Sequence, residues 1–316
     1  MIAAGRDVRT GGRWSPAQRV KNDALWAAAT LAIAVVRFLP VAALRSLGRA
    51  LGLLAHALAW GPRRVARGNV ARVLPHLTPA ENRALVRRCF AAAGEHLGET
   101  VALLGAGGPP PLPLAPEAIE LIDEARREGR GVVFVSAHLG PWERVAASLV
   151  AAGVPLVTVA RESYDPRFTR LYERLRSSRG VKVVWRSHPA VALRMVRTLR
   201  AGGVLGIPMD LRSRVASADI PFLGHLAPTA IGPARLALRT GAAVVVGTVA
   251  PSAAVDDPPG HHVVTVTRIP TSALTDAHTL TARLNEELSR RILRWPEGWL
   301  WMHDRWPERK EAPKGL

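Results

Sequence analysis

The chain of 316 residues holds a single cysteine, Cys89. An internal disulfide is therefore excluded, and so is a zinc site built on cysteine spacing. Four catalytic signatures are also missing: the G-x-S-x-G elbow, the phosphate loop ending in G-K-[ST], a G-x-G-x-x-G turn after a strand, and H-E-x-x-H. Serine hydrolase, NTPase, dinucleotide and zincin chemistries thus lack their usual support. Acidic residues are scarce, with 25 Asp+Glu against 43 Lys+Arg and a net charge of +18. Most of the excess is Arg, which suits bidentate contact with phosphate or carboxylate. It points to a polyanionic partner: nucleic acid, an anionic membrane surface or a phosphorylated substrate. Part of it also fits an Arg- and Ala-rich composition of the kind that G+C-rich genomes impose.

The amino-terminal apolar stretch is short. After a basic leader (Arg6, Arg9, Arg13, Arg19, Lys21), Ala24 to Val36 carries no charge, and Arg37 closes it. A spanning helix needs about 20 apolar residues. Extension through Phe38 to Leu44 would bring it near that length. A secretory signal is a second option, with Val41-Ala42-Ala43 as its cleavage site. A second stretch, Leu44 to Trp60, sets Arg45 and Arg49 against Leu47, Leu51, Leu54 and Leu58. Basic residues alternating with apolar faces fit helices lying in a membrane interface; ordinary helices packed on a globular core fit the same pattern.

Apolar residues make up 48% of the chain, enough for a sizeable core. The pattern divides into a basic leader (1–20), a helical membrane-associating region (21–104), a Pro/Gly linker (105–115), an α/β domain (116–307) and a tail (308–316). Thr78-Pro79-Ala80-Glu81 opens a helix that runs to about Leu104, with Phe90, Leu97, Val101 and Leu104 inward. Cys89 falls within it as a small core residue. From Val132 onward, strand and helix signals alternate to a last helix over Thr279 to Arg294. The expected fold is α/β: a mixed, mostly parallel central sheet flanked by helices, with an amino-terminal helical segment that associates with a membrane.

Within that pattern, Val132 to Val135 read as a buried strand ending in Ser136-Ala137, and His138 follows at once. Gly140-Pro141 break the strand and open a helix, read over Trp142 to Ala152, that carries Glu143 near its start. An imidazole thus sits at the carboxyl edge of a strand, where open α/β sheets bind ligands, with a carboxylate one short turn away. Such a carboxylate fixes the tautomer and supports the imidazolium formed when the other nitrogen takes a proton. Arg161 and Asp210 also fall just past strand ends, and Arg212 and Arg214 continue the second loop. Thr229 stands where it can cap the helix that follows. The segment Trp295 to Trp306 is dense in tryptophan and suits either a membrane interface or a packed carboxy-terminal lid. His303 within it reads as a hydrogen-bonded core residue.

Together these segments resemble the late acyltransferases of lipid A synthesis, within the wider lysophospholipid acyltransferase superfamily. The matching pieces are Arg67-Gly68-Asn69-Val70, His138-x4-Glu143, Arg161, Met209-Asp210, Pro221-Phe222-Leu223-Gly224, Gly232 through Gly241 and Trp299 through Trp306, in family order. The resemblance implies acyl transfer from an acyl carrier protein or coenzyme A thioester to a hydroxyl of an anionic glycolipid, at the cytoplasmic face of the inner membrane. No metal, cofactor or nucleic acid is expected. Carried over, His138 is the general base and Glu143 its partner, and Arg161 and Asp210 are active-site positions. Apart from the resemblance, substrate binding is expected of Arg161, Asp210, Arg212 and Arg214, the three arginines holding substrate phosphates. Arg212 departs from the pattern, since many relatives carry an acidic residue there. A lysophospholipid or a mannosylated inositol lipid is the alternative acceptor. A non-catalytic basic protein that binds membrane or nucleic acid is the alternative from outside enzymes.

Overall fold

Val132, Val133, Phe134 and Val135 form the heart of a strand that is sealed from water on both faces. Only a central parallel strand, covered by helices above and below, accommodates such an unbroken apolar run. The computed structural model describes residues 12–36, 38–105, 108–212, 215–252, 261–271 and 276–307. Its strands are β1 (Val132–Ser136), β2 (Leu156–Ala160), β3 (Lys182–Trp185), β4 (Val204–Pro208), β5 (Ser217–Phe222), β6 (His225–Ala230), β7 (Ala243–Pro251) and β8 (His262–Ile269). Four helices precede the sheet: α1 (Pro16–Val36), α2 (Val41–Leu58), α3 (Trp60–Val73) and α4 (Pro79–Ala102). Six more are α5 (Pro116–Arg127), α6 (Trp142–Ala151), α7 (Pro166–Ser177), α8 (Val191–Arg200), α9 (Gly232–Thr240) and α10 (Ala277–Arg294).

The main sheet has the order β3-β2-β4-β1-β7-β8. All its pairings are parallel except β7 with β8. This is the expected mixed, mostly parallel α/β architecture. The chain leaves β1 toward β2 and β3, then returns through β4 and crosses to β7, so the order reverses around β1. Ligands of open α/β sheets bind at the carboxyl ends beside such a reversal.

The pair β5 and β6 forms a separate antiparallel hairpin that the strand–helix alternation does not anticipate. Leu223 (φ 50°) and Gly224 (φ 80°) both occupy positive φ, as a two-residue hairpin turn of the primed type requires. Thr229 accordingly lies in β6 and does not cap α9, whose cap residue is Ile231 with no side-chain bond.

Helix α4 begins as expected. Glu81 N–H donates to Thr78 Oγ1 at 3.3 Å, and Thr78 N–H donates back to the Glu81 carboxylate at 2.7 Å. This reciprocal box satisfies two donors that the first turn would leave open. Its inward face differs from the expected one: Leu97 is exposed, whereas His96, Gly98 and Glu99 are buried. The cause is α2, which crosses α4 at backbone contact. A Cβ added to Gly48 would stand 2.2 Å from Gly94 O, and one added to Gly98 would stand 2.2 Å from Leu44 O. Gly52 meets Phe90 O in the same way, at 2.1 Å. Spacing glycines four apart on both helices produces this approach.

Beside the glycine seam, Glu99 is fully buried between Arg45 of α2 (3.3 Å) and Arg144 of α6 (2.5 Å). Three helices are thereby tied together, and the outer leucines of α2, namely Leu47, Leu51, Leu54 and Leu58, are left facing outward. One apolar core runs from Ala66 and Val70 of α3 through the sheet to Trp306.

Replacing Gly94 by Val should lower the unfolding midpoint strongly, because overpacking at a site with no free volume costs about 1–3 kcal/mol or more. Gly61 is the control, since a Cβ added there would meet nothing within 4 Å. Thermal unfolding in detergent reads both, and equal midpoints for Gly94→Val and wild type would contradict the close crossing.

Candidate active site

The register of β1 against β4 decides which side chains meet. Ser136 pairs with Pro208, and Met209 N–H donates to Ser136 O at 3.0 Å. Two residues farther along each strand, His138 therefore stands opposite Asp210. His138 Nδ1 lies 2.9 Å from Asp210 Oδ1, and His138 N–H donates to Asp210 Oδ2 at 2.9 Å. Trp299 Nε1–H donates to the same Oδ2 at 2.8 Å. Asp210 has no exposed surface, whereas the His138 side chain keeps 24% of its own.

These contacts set the protonation of the pair. Burial alone would push the Asp210 carboxyl up, but the facing imidazole and the three hydrogen bonds hold it below its ordinary value. An ionised carboxylate only accepts, so the proton on the imidazole sits on Nδ1 and Nε2 is left as the basic nitrogen. Burial likewise pushes His138 down. Asp210, through charge and hydrogen bond, and the more remote Glu143 outweigh it, so the imidazole titrates above its ordinary value despite opposition from Arg176. The Trp142 ring meets the imidazole edge-on at 5.1 Å between centroids.

Glu143 occupies a different position from the one expected. It is buried and held by Arg176 of α7 in a two-pronged pair, with Nη2 to Oε1 at 2.7 Å and Nε to Oε2 at 3.0 Å. Its charge reaches the imidazole, but the hydrogen-bonding carboxylate is Asp210. The reason is register: Asp210 is brought alongside by a neighbouring strand, while Glu143 lies in the first turn of α6 and points to α7. Arg161 lies at the same sheet edge, exposed, with its guanidinium 5.1 Å from the centre of the Tyr164 ring. Arg212 donates its backbone N–H to His303 Nε2 at 3.1 Å and pairs with Asp304 at 3.5 Å, both groups well exposed. Arg214 lies outside the described residues.

The carboxy-terminal tryptophan segment packs as a clamp on the His138 loop. Gly140 N–H donates to Gly298 O at 2.9 Å, and Leu139 bridges to Trp299. Gly140 itself has φ +62°, and a Cβ there would stand 2.6 Å from the Trp295 ring. Its N–H is engaged and so does not serve as a free donor to a reacting oxygen. The segment is anchored in turn by Asn69 of α3, which donates to Trp301 O at 2.9 Å and His303 O at 2.8 Å. Arg305 is fully buried and, among the described residues, forms no ion pair with a carboxylate. It donates to Pro228 O at 2.6 Å and Thr229 Oγ1 at 2.7 Å, over the Phe222 ring. Burial pulls its guanidinium down to about 10. The hairpin β5–β6 is pinned to the site by these bonds. His303 is hydrogen-bonded as expected, but it is half-buried and not part of the core. Among the described residues, no cluster of three or more His, Cys, Asp or Glu side chains is placed to hold a metal ion.

The sequence profile of the bacterial lipid A biosynthesis acyltransferases matches residues 15–308, which spans the amino-terminal helices, the sheet and the tryptophan clamp. The chain belongs to that family. A comparison with curated proteins gave no match. The family assignment makes the chain an acyltransferase of lipid A-type substrates and accounts for its ordered motifs. Arg67 to Val70 supply the Asn69 anchor, and the Trp299 to Trp306 stretch supplies both the Asp210 donor and the Arg305 pin.

Removing Glu143 alone leaves Arg176 buried and unpaired, so Glu143→Leu should cost about 3–5 kcal/mol of stability. The double variant Glu143→Leu/Arg176→Met should recover most of that loss in urea unfolding. A single variant as stable as the wild type would show that the pair is not formed in solution.

Proposed function

We propose that the enzyme transfers a fatty acyl chain from an acyl carrier protein or coenzyme A thioester directly to a hydroxyl of a lipid A precursor, with His138 as the general base. The observation that carries this reading is the imidazole whose Nδ1 is held by a fully buried carboxylate at the carboxyl edge of the sheet. His138 Nε2 takes the proton of the acceptor hydroxyl as its oxygen attacks the thioester carbonyl. The tetrahedral intermediate collapses with cleavage of the C–S bond, and the imidazolium returns the proton to the departing thiolate. An ester and a free thiol result, and no covalent enzyme intermediate or cofactor enters. Asp210 acts as a positioning residue, holding the tautomer and supporting the imidazolium. Glu143 and Arg176 fix the start of α6 beside it.

In the same proposal, transfer takes place on the cytoplasmic side of the inner membrane, with the amino-terminal helices lying on the bilayer. Helix α2 is long and apolar enough to cross a membrane by length and composition. Its 18 residues span about 27 Å, slightly short of a hydrocarbon core of about 30 Å. Its glycine face is already occupied by α4, and only the leucine face is open. That asymmetry supports a helix lying on the surface, with Leu25, Leu31 and Trp60 exposed nearby in sequence and Arg64 exposed to meet anionic head groups.

His138→Ala should reduce thioester consumption by about 10²–10⁴-fold. Because the base works when neutral, kcat/KM should climb with pH through the raised His138 value. Asp210→Asn should lower the rate and move that ascending limb to lower pH; a limb that stays in place would contradict the Asp210 role. Leu54→Glu/Leu58→Glu should weaken binding to anionic vesicles by about 100-fold or more, as burial of each leucine is worth about 1.5–3 kcal/mol. Flotation with vesicles measures this, and undiminished binding would exclude the leucine face as the contact.

A further inference from the structure

Strands β2 and β3 bring together two arginines from distant parts of the chain. Ala160 pairs with Trp185 at the end of the parallel ladder, and Arg186 N–H donates to Ala160 O at 2.9 Å. Arg161 and Arg186 are therefore side-by-side neighbours one residue past the last pair, at the sheet edge that carries His138. Arg161 is exposed and Arg186 half-buried. Burial first, then the charge of Arg161, pulls the Arg186 guanidinium below its ordinary value, with Glu162 opposing. Two cations held next to one another by a ladder register, with the Glu162 carboxylate opposing, favour an added anion. That carboxylate, Glu162, also accepts the Ser187 N–H at 3.1 Å and the Ser187 hydroxyl.

We propose that Arg161 and Arg186 form a two-arginine clamp for a phosphate group of the acceptor glycolipid. The inference rests on the acyl-transfer reading and adds to it a chemical requirement on the acceptor. The geometry suits it. Neighbouring strands lie about 4.8 Å apart, and in the order β3-β2-β4-β1 the strand of Arg161 is two places from that of His138. A phosphate at the clamp would thus sit roughly 10–15 Å from the imidazole, a separation that a phosphorylated sugar headgroup can bridge. A planar guanidinium fork offers paired donors to tetrahedral phosphate oxygens, which an ammonium does not.

The test compares a lipid A precursor bearing its phosphates with the same lipid after phosphatase treatment, both in mixed micelles, by equilibrium binding and by thioester turnover. Wild-type enzyme should bind the phosphorylated lipid about 10–100-fold more tightly, the scale of one or two charge-assisted hydrogen bonds. Arg186→Gln and Arg161→Gln should each lose most of that preference while binding the stripped lipid as wild type does, which also shows that they fold. Arg186→Lys should recover it only in part. KM for the thioester donor should not change in Arg186→Gln. Three outcomes would overturn the clamp: an undiminished preference in Arg186→Gln, equal losses with both lipids, or a raised donor KM with an unchanged acceptor KM, which would assign the phosphate to the donor. Binding is read without turnover. Thioester turnover that is absent with either lipid would instead count against the acyl-transfer reading, whatever the binding preference.

Discussion

The carboxylate of Asp210 is the constraint on which the site depends. It is buried without solvent and accepts three hydrogen bonds, from the His138 ring, the His138 backbone and the Trp299 indole. These donors come from separate parts of the fold, the loop that ends β1 and the carboxy-terminal clamp. Burying a charge is tolerated only when it is paired and fully hydrogen-bonded. The folded site therefore assembles around Asp210 as a unit, and the imidazole emerges with one nitrogen fixed and the other facing the partly open edge.

The amino-terminal helices serve this assembly as well as the proposed membrane contact. Glycine contacts bring α2 onto α4, and Glu99 on α4 holds Arg144 of α6, the helix that follows the His138 loop. Asn69 of α3 fastens the tryptophan clamp that donates to Asp210. The region that carries the outward leucines is thus mechanically joined to the reacting edge.

Much of this is legible in the amino-acid order. The apolar run Val132 to Val135 announces a central parallel strand, and its abrupt end places His138 at a ligand-binding edge. The Thr78–Glu81 box and the strand–helix alternation are local signals, and both hold in the fold. What local pattern does not supply is register. Asp210 and Trp299 reach His138 across strands and through a terminal segment, whereas Glu143, nearer in sequence, turns to Arg176. The hairpin of β5 and β6 escapes a pattern reading because its turn residues, Leu223 and Gly224, lack the usual Asn-Gly signal. Leu97 reads as inward because a leucine outranks a glycine in any hydrophobic pattern, yet Gly94 and Gly98 are the face that packs.

The central claim is that His138 carries its proton on Nδ1, against an ionised Asp210, and titrates above an ordinary histidine. Nitrogen-15 NMR of the His138 ring across pH reads both properties directly. The account predicts an Nδ1–H tautomer in the neutral form and a midpoint above about 6.5, with the midpoint falling in Asp210→Asn. An Nε2–H tautomer, or a midpoint at or below that of a free imidazole, would contradict it.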